Sequence, residues 1–547
     1  MKFILSAFFI ILALQLNAGP PEKVVFLKAV TDNDQCVFQQ ASDKSYPVLE
    51  KIPADDKSLV EILKVLNSGM SKNSLLIGQL VKNFMAGQST DPKLCPPYLE
   101  PLYILLIKGG NRPKNGFFLC EGRKTLDKTS SFYIEMPYDP FNFEKLFAHE
   151  NGHLIDYYIG EFYFPREPSR PVHTTPALTD FLIAFIEGWG DHFEPQIAAL
   201  TQNEKLRSYA GFDLHTGREY FTYLDDLGSL SQNLKRHSWV KANLFAFSRR
   251  TELADRLGTK DLKRNFAFNW TGSDFDSTRL KNAQQMLSSE GFCACIFYRL
   301  ATNGTLKNNY EDIGFYRMFD PGITVNNLIK KIPPEINVYL KIMYAKHMLL
   351  KDYETRKPEV SPPLLADLIV KYCFLFPKDS DTAVSEFANA SFCSTTCPEA
   401  LSFYKRFSDT FRVYYFEKEE KTDLYLKIFC AIVEAWISDL KKNPARLTGA
   451  IGPALWIQNN DFKFGFWMFG TEEVPLSINL NAAEDFELMT IPGMTVESAK
   501  KFTEYRDGRG FFRSLLDIEK SGLLPETVYS EIIRMRRAFL EMKTASR

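Results

Sequence analysis

The pentapeptide His149-Glu150-Asn151-Gly152-His153 is the feature that most constrains what this chain can fold into. On a helix, residues four apart lie on one face, so two histidines at that spacing can turn both imidazoles toward one point. The flanking sequence predicts such a helix, because Asp139 can cap its start, Pro140 suits its first position and Gly160 can end it. We therefore predict that the imidazoles bind one divalent metal ion, with Glu150 beside them as a general base. The alternative interpretation is a pair of core histidines satisfied by hydrogen bonds.

A third protein ligand is needed next, because a catalytic zinc ion takes three protein ligands and keeps one position open for water. The strongly apolar segment 175–195 predicts a second helix that ends at Pro195. Glu187 falls within this helix, where a carboxylate among apolar neighbours needs a partner or a cation. Gly188 and Gly190 weaken this helix. We therefore expect another segment, such as the helix that carries His149 and His153, to approach it closely at these two glycines.

Two further carboxylates are candidates for holding a ligating histidine in place. Asp191 lies one turn after Glu187 and can accept a hydrogen bond from the outer nitrogen of such a histidine. Asp156 lies three residues after His153, and its alternative interpretation is a solvated helix position. Three nearby residues remain alternatives to Glu187 as the third ligand: Asp191, His192 and His173.

This pattern resembles the gluzincin group of zinc metallopeptidases, the thermolysin-like arrangement in which H-E-x-x-H is followed on a later helix by E-x-x-x-D. The resemblance is confined to this part of the chain. It implies a zincin-like catalytic core in which His149, His153 and Glu187 bind one zinc ion. It also implies that a zinc-activated water hydrolyses the peptide bonds of a peptide or protein substrate, with Glu150 as the general base. A metzincin is excluded, because Ile159 stands where that group places its third histidine.

An additional donor normally stabilises the oxyanion that forms during hydrolysis. The sequence offers several candidates after the Glu187 segment without favouring one of them. These candidates are Tyr220, Tyr223, His215 and His237.

The first 18 residues predict export of the protein. Met1 and Lys2 are followed by an apolar run over 3–14 and by a small residue, Ala18, as in a secretory signal peptide. An uncleaved N-terminal anchor is the alternative. No later stretch looks long and apolar enough to cross a bilayer, so we predict a periplasmic or extracellular protein with no transmembrane segment after signal removal.

The residues from 477 onward carry a second signal. The segments 478–483, 491–494 and 516–518 resemble the helix-hairpin-helix domain of the bacterial competence DNA receptor. Gly493 permits a tight hairpin between two short helices, whose backbone N–H groups can bind an anion, and Arg506 is a candidate for contacting phosphate.

Charge argues against nucleic acid as the main partner. Residues 477–547 hold eleven Lys or Arg and eleven Asp or Glu, and the whole chain has a formal net charge of −1. Phosphate binding normally requires a basic surface. We therefore predict that this region contacts a protein partner or gives structural support, with nucleic-acid binding as the less favoured interpretation.

With 547 residues, the chain exceeds what one core usually supports. We predict an α+β, mainly helical protein with a small all-α domain at its C-terminal end. The strand predicted over 131–136 directly precedes the metal helix, where a substrate-binding sheet edge is expected. The predicted regions are a signal peptide over 1–18, an N-terminal region over 19–125, a zincin-like metallopeptidase core over 126–300, a mainly helical region completing the catalytic body over 301–470, and a helix-hairpin-helix domain over 477–547.

The leading functional hypothesis is therefore an exported zinc-dependent metallopeptidase. One alternative is a binding protein that keeps the zincin fold without catalysis, although the intact Glu150 argues against it. The other alternative is a protein that binds DNA through its C-terminal domain.

Overall fold

A computed structural model describes the chain in thirteen stretches. They are 24–53, 55–88, 98, 100–160, 179–207, 244–246, 267–269, 282–358, 361–390, 396–407, 420–461, 466–469 and 472–545. Helices dominate, and strands form two larger sheets and one small hairpin. The predicted class, a mainly helical protein with both helices and strands, is confirmed.

The helices are α1 (Val60–Leu66), α2 (Gly69–Gln88), α3 (Pro140–Ile159), α4 (Phe181–Asp191), α5 (Phe193–Leu200), α6 (Ala283–Leu287), α7 (Glu290–Thr302), α8 (Gly304–Asn308), α9 (Ile313–Arg317), α10 (Leu328–Lys331), α11 (Pro334–Arg356), α12 (Leu364–Leu375), α13 (Ser380–Ala390), α14 (Pro398–Arg406), α15 (Glu420–Lys442), α16 (Arg446–Ile451), α17 (Asp485–Leu488), α18 (Val496–Arg509), α19 (Leu515–Lys520) and α20 (Glu526–Ala545). The strands are β1 (Val24–Ala29), β2 (Thr31–Asp32), β3 (Gln35–Cys36), β4 (Phe38–Ala41), β5 (Lys44–Lys51), β6 (Leu102–Leu106), β7 (Arg112–Glu121), β8 (Lys124–Met136), β9 (Leu244–Ala246), β10 (Ala267–Asn269), β11 (Trp456–Asn459), β12 (Phe466–Phe469) and β13 (Glu472–Asn479).

The described residues divide into two compact units. The first unit contains the described residues of 24–160, 192–207 and 310–343, and the second contains those of 179–191, 244–309 and 344–545. Among the described helices, none combines the length and the apolar character needed to cross a bilayer.

The main sheet of the first unit closes on itself. Its strands run in the order β1-β6-β8-β7-β5-β4, and β1 also pairs with β5 on its other side. Apolar side chains fill the interior of the ring: Leu27, Leu49, Tyr103, Leu105, Phe117, Leu119 and Tyr133. A closed ring leaves its strands without free edges, so these strands are protected from pairing with other chains.

Strand β8 leads directly into helix α3, which carries the two histidines, as the sequence predicts. It is longer than the predicted 131–136, because it forms a hairpin with β7 through Gly122, which has a φ of +65°. Its last residues, 133–136, pair with β6, and residues 132–135 pair with β7. The free sheet edge expected next to the metal helix is therefore not presented by the end of β8.

Helix α3 begins and ends where its sequence predicts. The side chain of Asp139 accepts a hydrogen bond from the backbone N–H of Asn142 at 2.9 Å, and Gly160 ends the helix at a φ of +121°. The amide of Asn151 donates to the Ser74 hydroxyl at 2.7 Å, which fixes α3 against α2. The helix that carries both histidines is therefore held from both ends and along its length.

The second unit shows why the apolar helix α4 contains a glycine. A side chain at Gly188 would place its Cβ 2.5 Å from the Cβ of Cys293 and 2.8 Å from the carbonyl of Glu290, both on α7. The glycine therefore permits close packing on α7, and its expected role in approaching the metal helix is wrong. Pro195 does not end this helix either, because it lies in the first turn of α5, where proline is tolerated.

The C-terminal helices do not form a core of their own. Their buried residues, among them Phe502 and Ile532, share one cluster with Ile457 of β11 and Ile478 of β13. The predicted boundary at residue 477 falls within β13.

Buried amides also connect this region to α6. The Asn282 side chain donates to the Asn481 carbonyl at 3.0 Å, and the Asn479 side chain donates to Gln284 at 2.9 Å. Because buried polar groups are costly unless they are paired, these bonds fix the register between the two segments. The last helices are therefore integrated into the second unit.

Candidate metal centre

The two histidines of α3 face one another across a single helical turn. Their Nε2 atoms lie 3.1 Å apart, and the ring planes are inclined by 80°. Two nitrogen ligands of a tetrahedral zinc ion, each at about 2.0–2.1 Å from the metal, are separated by about 3.4 Å. The separation of the two Nε2 atoms is therefore close to that of two ligands of one ion. A hydrogen bond between the two imidazoles alone would not require acidic residues nearby.

Acidic neighbours are present. Within the first unit, the Glu194 carboxylate lies next to His149. Glu187, the predicted third ligand, and Asp191 belong to the second unit. Two imidazole nitrogens and one carboxylate oxygen form a donor set that catalytic zinc accepts while keeping a position for water. The two imidazoles of α3 therefore fit the predicted ion.

Glu194 is the residue that sequence reasoning missed. Its Oε1 atom lies 3.5 Å from Nδ1 of His149, the nitrogen that faces away from His153. A carboxylate at the outer nitrogen of a ligating histidine fixes the ring and raises its basicity. The sequence could have indicated Glu194 as a site residue, because it follows Glu187 by seven residues, or about two helical turns. The interpretation of Pro195 as the end of the helix argued against extending the site to Glu194.

The start of α5 is anchored, which positions Glu194. The amide of Gln196 donates to the Tyr339 hydroxyl at 2.6 Å, and Nε2 of the fully buried His192 lies 3.2 Å from the same hydroxyl. His192 was an alternative third ligand, and this contact gives its ring a structural role instead.

Glu150 and Asp156 are both withdrawn from solvent. Glu150 is 5% exposed and Asp156 is 3% exposed. The alternative of Asp156 as a solvated helix position is therefore excluded. Glu150 directly follows His149, and a buried carboxylate lies in an environment where electrostatic interactions are stronger than in water.

Several predicted residues lie outside the described part of the chain. They are Tyr220, Tyr223, His215 and His237, proposed as oxyanion donors, and His173, an alternative ligand. The predicted signal peptide over 1–18 also lies outside it.

No family model, curated protein or solved structure matches this chain. The function is therefore inferred from the residues of the site.

The C-terminal hairpin forms, but its predicted phosphate contact does not. Gly493 adopts a φ of +80° in the turn before α18, as a tight hairpin requires. Arg506 is 1% exposed, and its guanidinium donates to the Leu480 carbonyl at 3.2 Å and to Asp507 at 2.8 Å. This arginine is enclosed by the fold and cannot reach a phosphate, so its predicted role is corrected to a structural one.

Replacing Arg506 by leucine is expected to destabilise the protein by about 3–5 kcal/mol, because it leaves the buried Asp507 carboxylate without its cation. The exposed Arg509 stacks on Tyr505 at 5.1 Å, and its replacement by leucine should cost less than about 1 kcal/mol. The midpoints of urea unfolding measure both effects. Equal midpoints for the two variants would contradict the structural role of Arg506.

Proposed function

We propose that this protein is an exported zinc-dependent metallopeptidase with a zincin-like core. The observation that carries the proposal is the 3.1 Å distance between the Nε2 atoms of His149 and His153 on α3. Glu150, which lies between the two histidines in the sequence, is buried on the same helix. The two imidazole nitrogens can bind one metal ion without help from Glu150. The Glu150 carboxylate is needed only if the bound ion takes part in a reaction.

In this proposal, His149, His153 and Glu187 hold one zinc ion. Bound zinc supplies Lewis acidity, since it lowers the pKa of water and polarises a carbonyl group. Glu194 lies 3.5 Å from the outer nitrogen of His149, and a hydrogen bond formed there would orient that ring. Asp191 stays a predicted partner for a ligating histidine.

Glu150 moves the proton. As a general base, its carboxylate accepts a proton from the attacking water, and as a general acid it then gives that proton to the leaving amine. A peptide amine is a poor leaving group unless it is protonated, so one carboxylate that performs both transfers is sufficient. The substrate is therefore a peptide or protein.

The competing functions have less support. A non-catalytic zincin-fold protein would need the two histidines but has no use for a buried Glu150. DNA binding through residues 477–547 loses its main candidate, because Arg506 is enclosed by the fold. For this region we propose structural support of the second unit or a protein contact, in agreement with its shared core.

Removal of zinc is expected to abolish peptide hydrolysis by the purified full-length protein, and zinc added back in equal amount should restore it. A chelator treatment followed by metal analysis and a fluorescent peptide library measures both effects, with a non-chelating isomer of the chelator as the control. Hydrolysis that persists in metal-free protein would contradict the proposal. Zinc-loaded protein that cleaves no peptide would support the non-catalytic alternative.

A further inference from the structure

Helix α15 of the second unit has two faces of different character. One face packs against α13 and α14 through the buried Phe429 and Val433 and the half-buried Trp436. The indole N–H of Trp436 donates to the Thr396 hydroxyl at 3.0 Å, which fixes the helix on the unit. The opposite face is exposed to solvent. The exposed residues of this face are Leu424, Lys427, Ile428, Ala431, Glu434, Ala435 and Ser438.

The exposed face carries an apolar stripe with the spacing of a coiled coil. Its members follow one another at alternating steps of four and three residues, so they form one line along the helix. Leu424 is 55% exposed and Ile428 is 38% exposed, on adjacent turns. A stripe of this spacing suits a second helix. The members of the stripe are Leu424, Ile428, Ala431, Ala435 and Ser438.

The order of large and small residues makes the stripe complementary to itself. When two copies of α15 lie antiparallel, with Ile428 next to Ala431 of the second copy, Leu424 lies next to Ala435 of that copy. Each layer of the contact then pairs one large side chain with one alanine, so the two helices can approach closely without a clash or a cavity. A twofold axis relates the four layers as two identical pairs.

The charges beside the stripe favour the same arrangement. Lys427 and Glu434 are both exposed and lie seven residues apart, so they are on the same side of the stripe. In the antiparallel register, Lys427 lies opposite Glu434 of the second copy, and the twofold axis repeats this ion pair. In a parallel pair, Glu434 would face Asp439 of the second copy, and the two like charges would repel. Size and charge therefore both match a second copy of this chain in the antiparallel orientation.

We propose that two copies of this protein associate through the exposed face of α15 as an antiparallel helix pair with twofold symmetry. The layers span residues 424–435, or about 16 Å of helix. A contact of this length buries less area than a standard interface, so we expect a weak dimer with a dissociation constant on the order of 10–100 μM. None of the residues proposed to bind zinc belongs to α15, so this inference is independent of the proposed peptidase activity.

Sedimentation velocity of the full-length protein between about 5 and 500 μM tests this association. We expect the average sedimentation coefficient of the wild-type protein to rise with concentration. Ala431→Glu places a charge in the centre of the contact, at a position that is exposed in the monomer, and should raise the dissociation constant by about tenfold or more. Ala445→Glu makes the same change at an exposed alanine outside α15 and should have no effect. Circular dichroism checks that each variant is folded.

Charge reversal tests the orientation of the two helices. Lys427→Glu and Glu434→Lys each place like charges opposite one another twice, so each variant alone should dimerise less than the wild-type protein. An equimolar mixture of the two variants restores both ion pairs and should associate as the wild-type protein does.

A wild-type protein that stays monomeric over the whole range overturns the proposal and leaves this face to a different protein. A dimer that Ala431→Glu does not weaken overturns the assignment to α15. A mixture of the two charge variants that does not associate overturns the antiparallel register.

Discussion

Replacing Glu150 by glutamine is expected to lower peptide hydrolysis by about 10²–10⁴-fold and to leave one zinc ion bound per chain. Glutamine has nearly the same shape as glutamate but cannot accept the proton of the attacking water. The two imidazoles of α3 and the carboxylate of Glu187 are untouched by this change, so the proposed donor set for zinc stays complete. Turnover of a fluorescent peptide and metal analysis of the same sample measure the two quantities together.

Glu144→Gln is the matched control for this prediction, because it makes the same substitution on the same helix. Glu144 accepts a hydrogen bond from the Thr201 hydroxyl, and the glutamine oxygen can keep that bond. We expect its activity and zinc content to match those of the wild-type protein. If Glu150→Gln keeps full activity, Glu150 is not the general base. If it loses its zinc as well, the effect on activity does not come from proton transfer alone.

The parts of the fold that sequence predicts well are those set by local signals. Helix α3 begins at Asp139 and ends at Gly160 because a cap and a glycine act within one turn of their own position. The spacing of His149 and His153 is equally local, so their convergence follows once the helix exists. For the same reason, the hairpin turn at Gly493 is confirmed by its positive φ.

The parts that sequence predicts poorly depend on distant partners. The closed sheet requires β1 to pair with both β6 and β5, and no short pattern encodes that pairing. Gly188 packs on Cys293, more than a hundred residues later in the chain. Arg506 looks like a surface cation of an amphipathic helix, and only the carbonyls of Leu480 and Ala483 reveal it as a buried one.

The choice of Glu187 as third ligand gives the second large effect. Glu187→Ala is expected to weaken zinc binding by more than about 100-fold and to abolish hydrolysis, because a ligand is lost outright. Glu194→Gln should weaken zinc binding by about 10–100-fold, the range observed when an outer partner of a ligating histidine is changed. Competition with a zinc-binding dye measures the dissociation constants of both variants and of Asp191→Asn.

The order of these affinities distinguishes Glu187 from Asp191 and Glu194 as the source of the acidic ligand. If Glu187 binds the ion, its alanine variant is the weakest of the three, and Glu194→Gln retains measurable, zinc-dependent hydrolysis. If Asp191 and Glu194 bind the ion instead, their variants lose zinc while Glu187→Ala keeps it. That second outcome would contradict Glu187 as the third ligand and, with it, the gluzincin-like donor set on which the peptidase proposal is built.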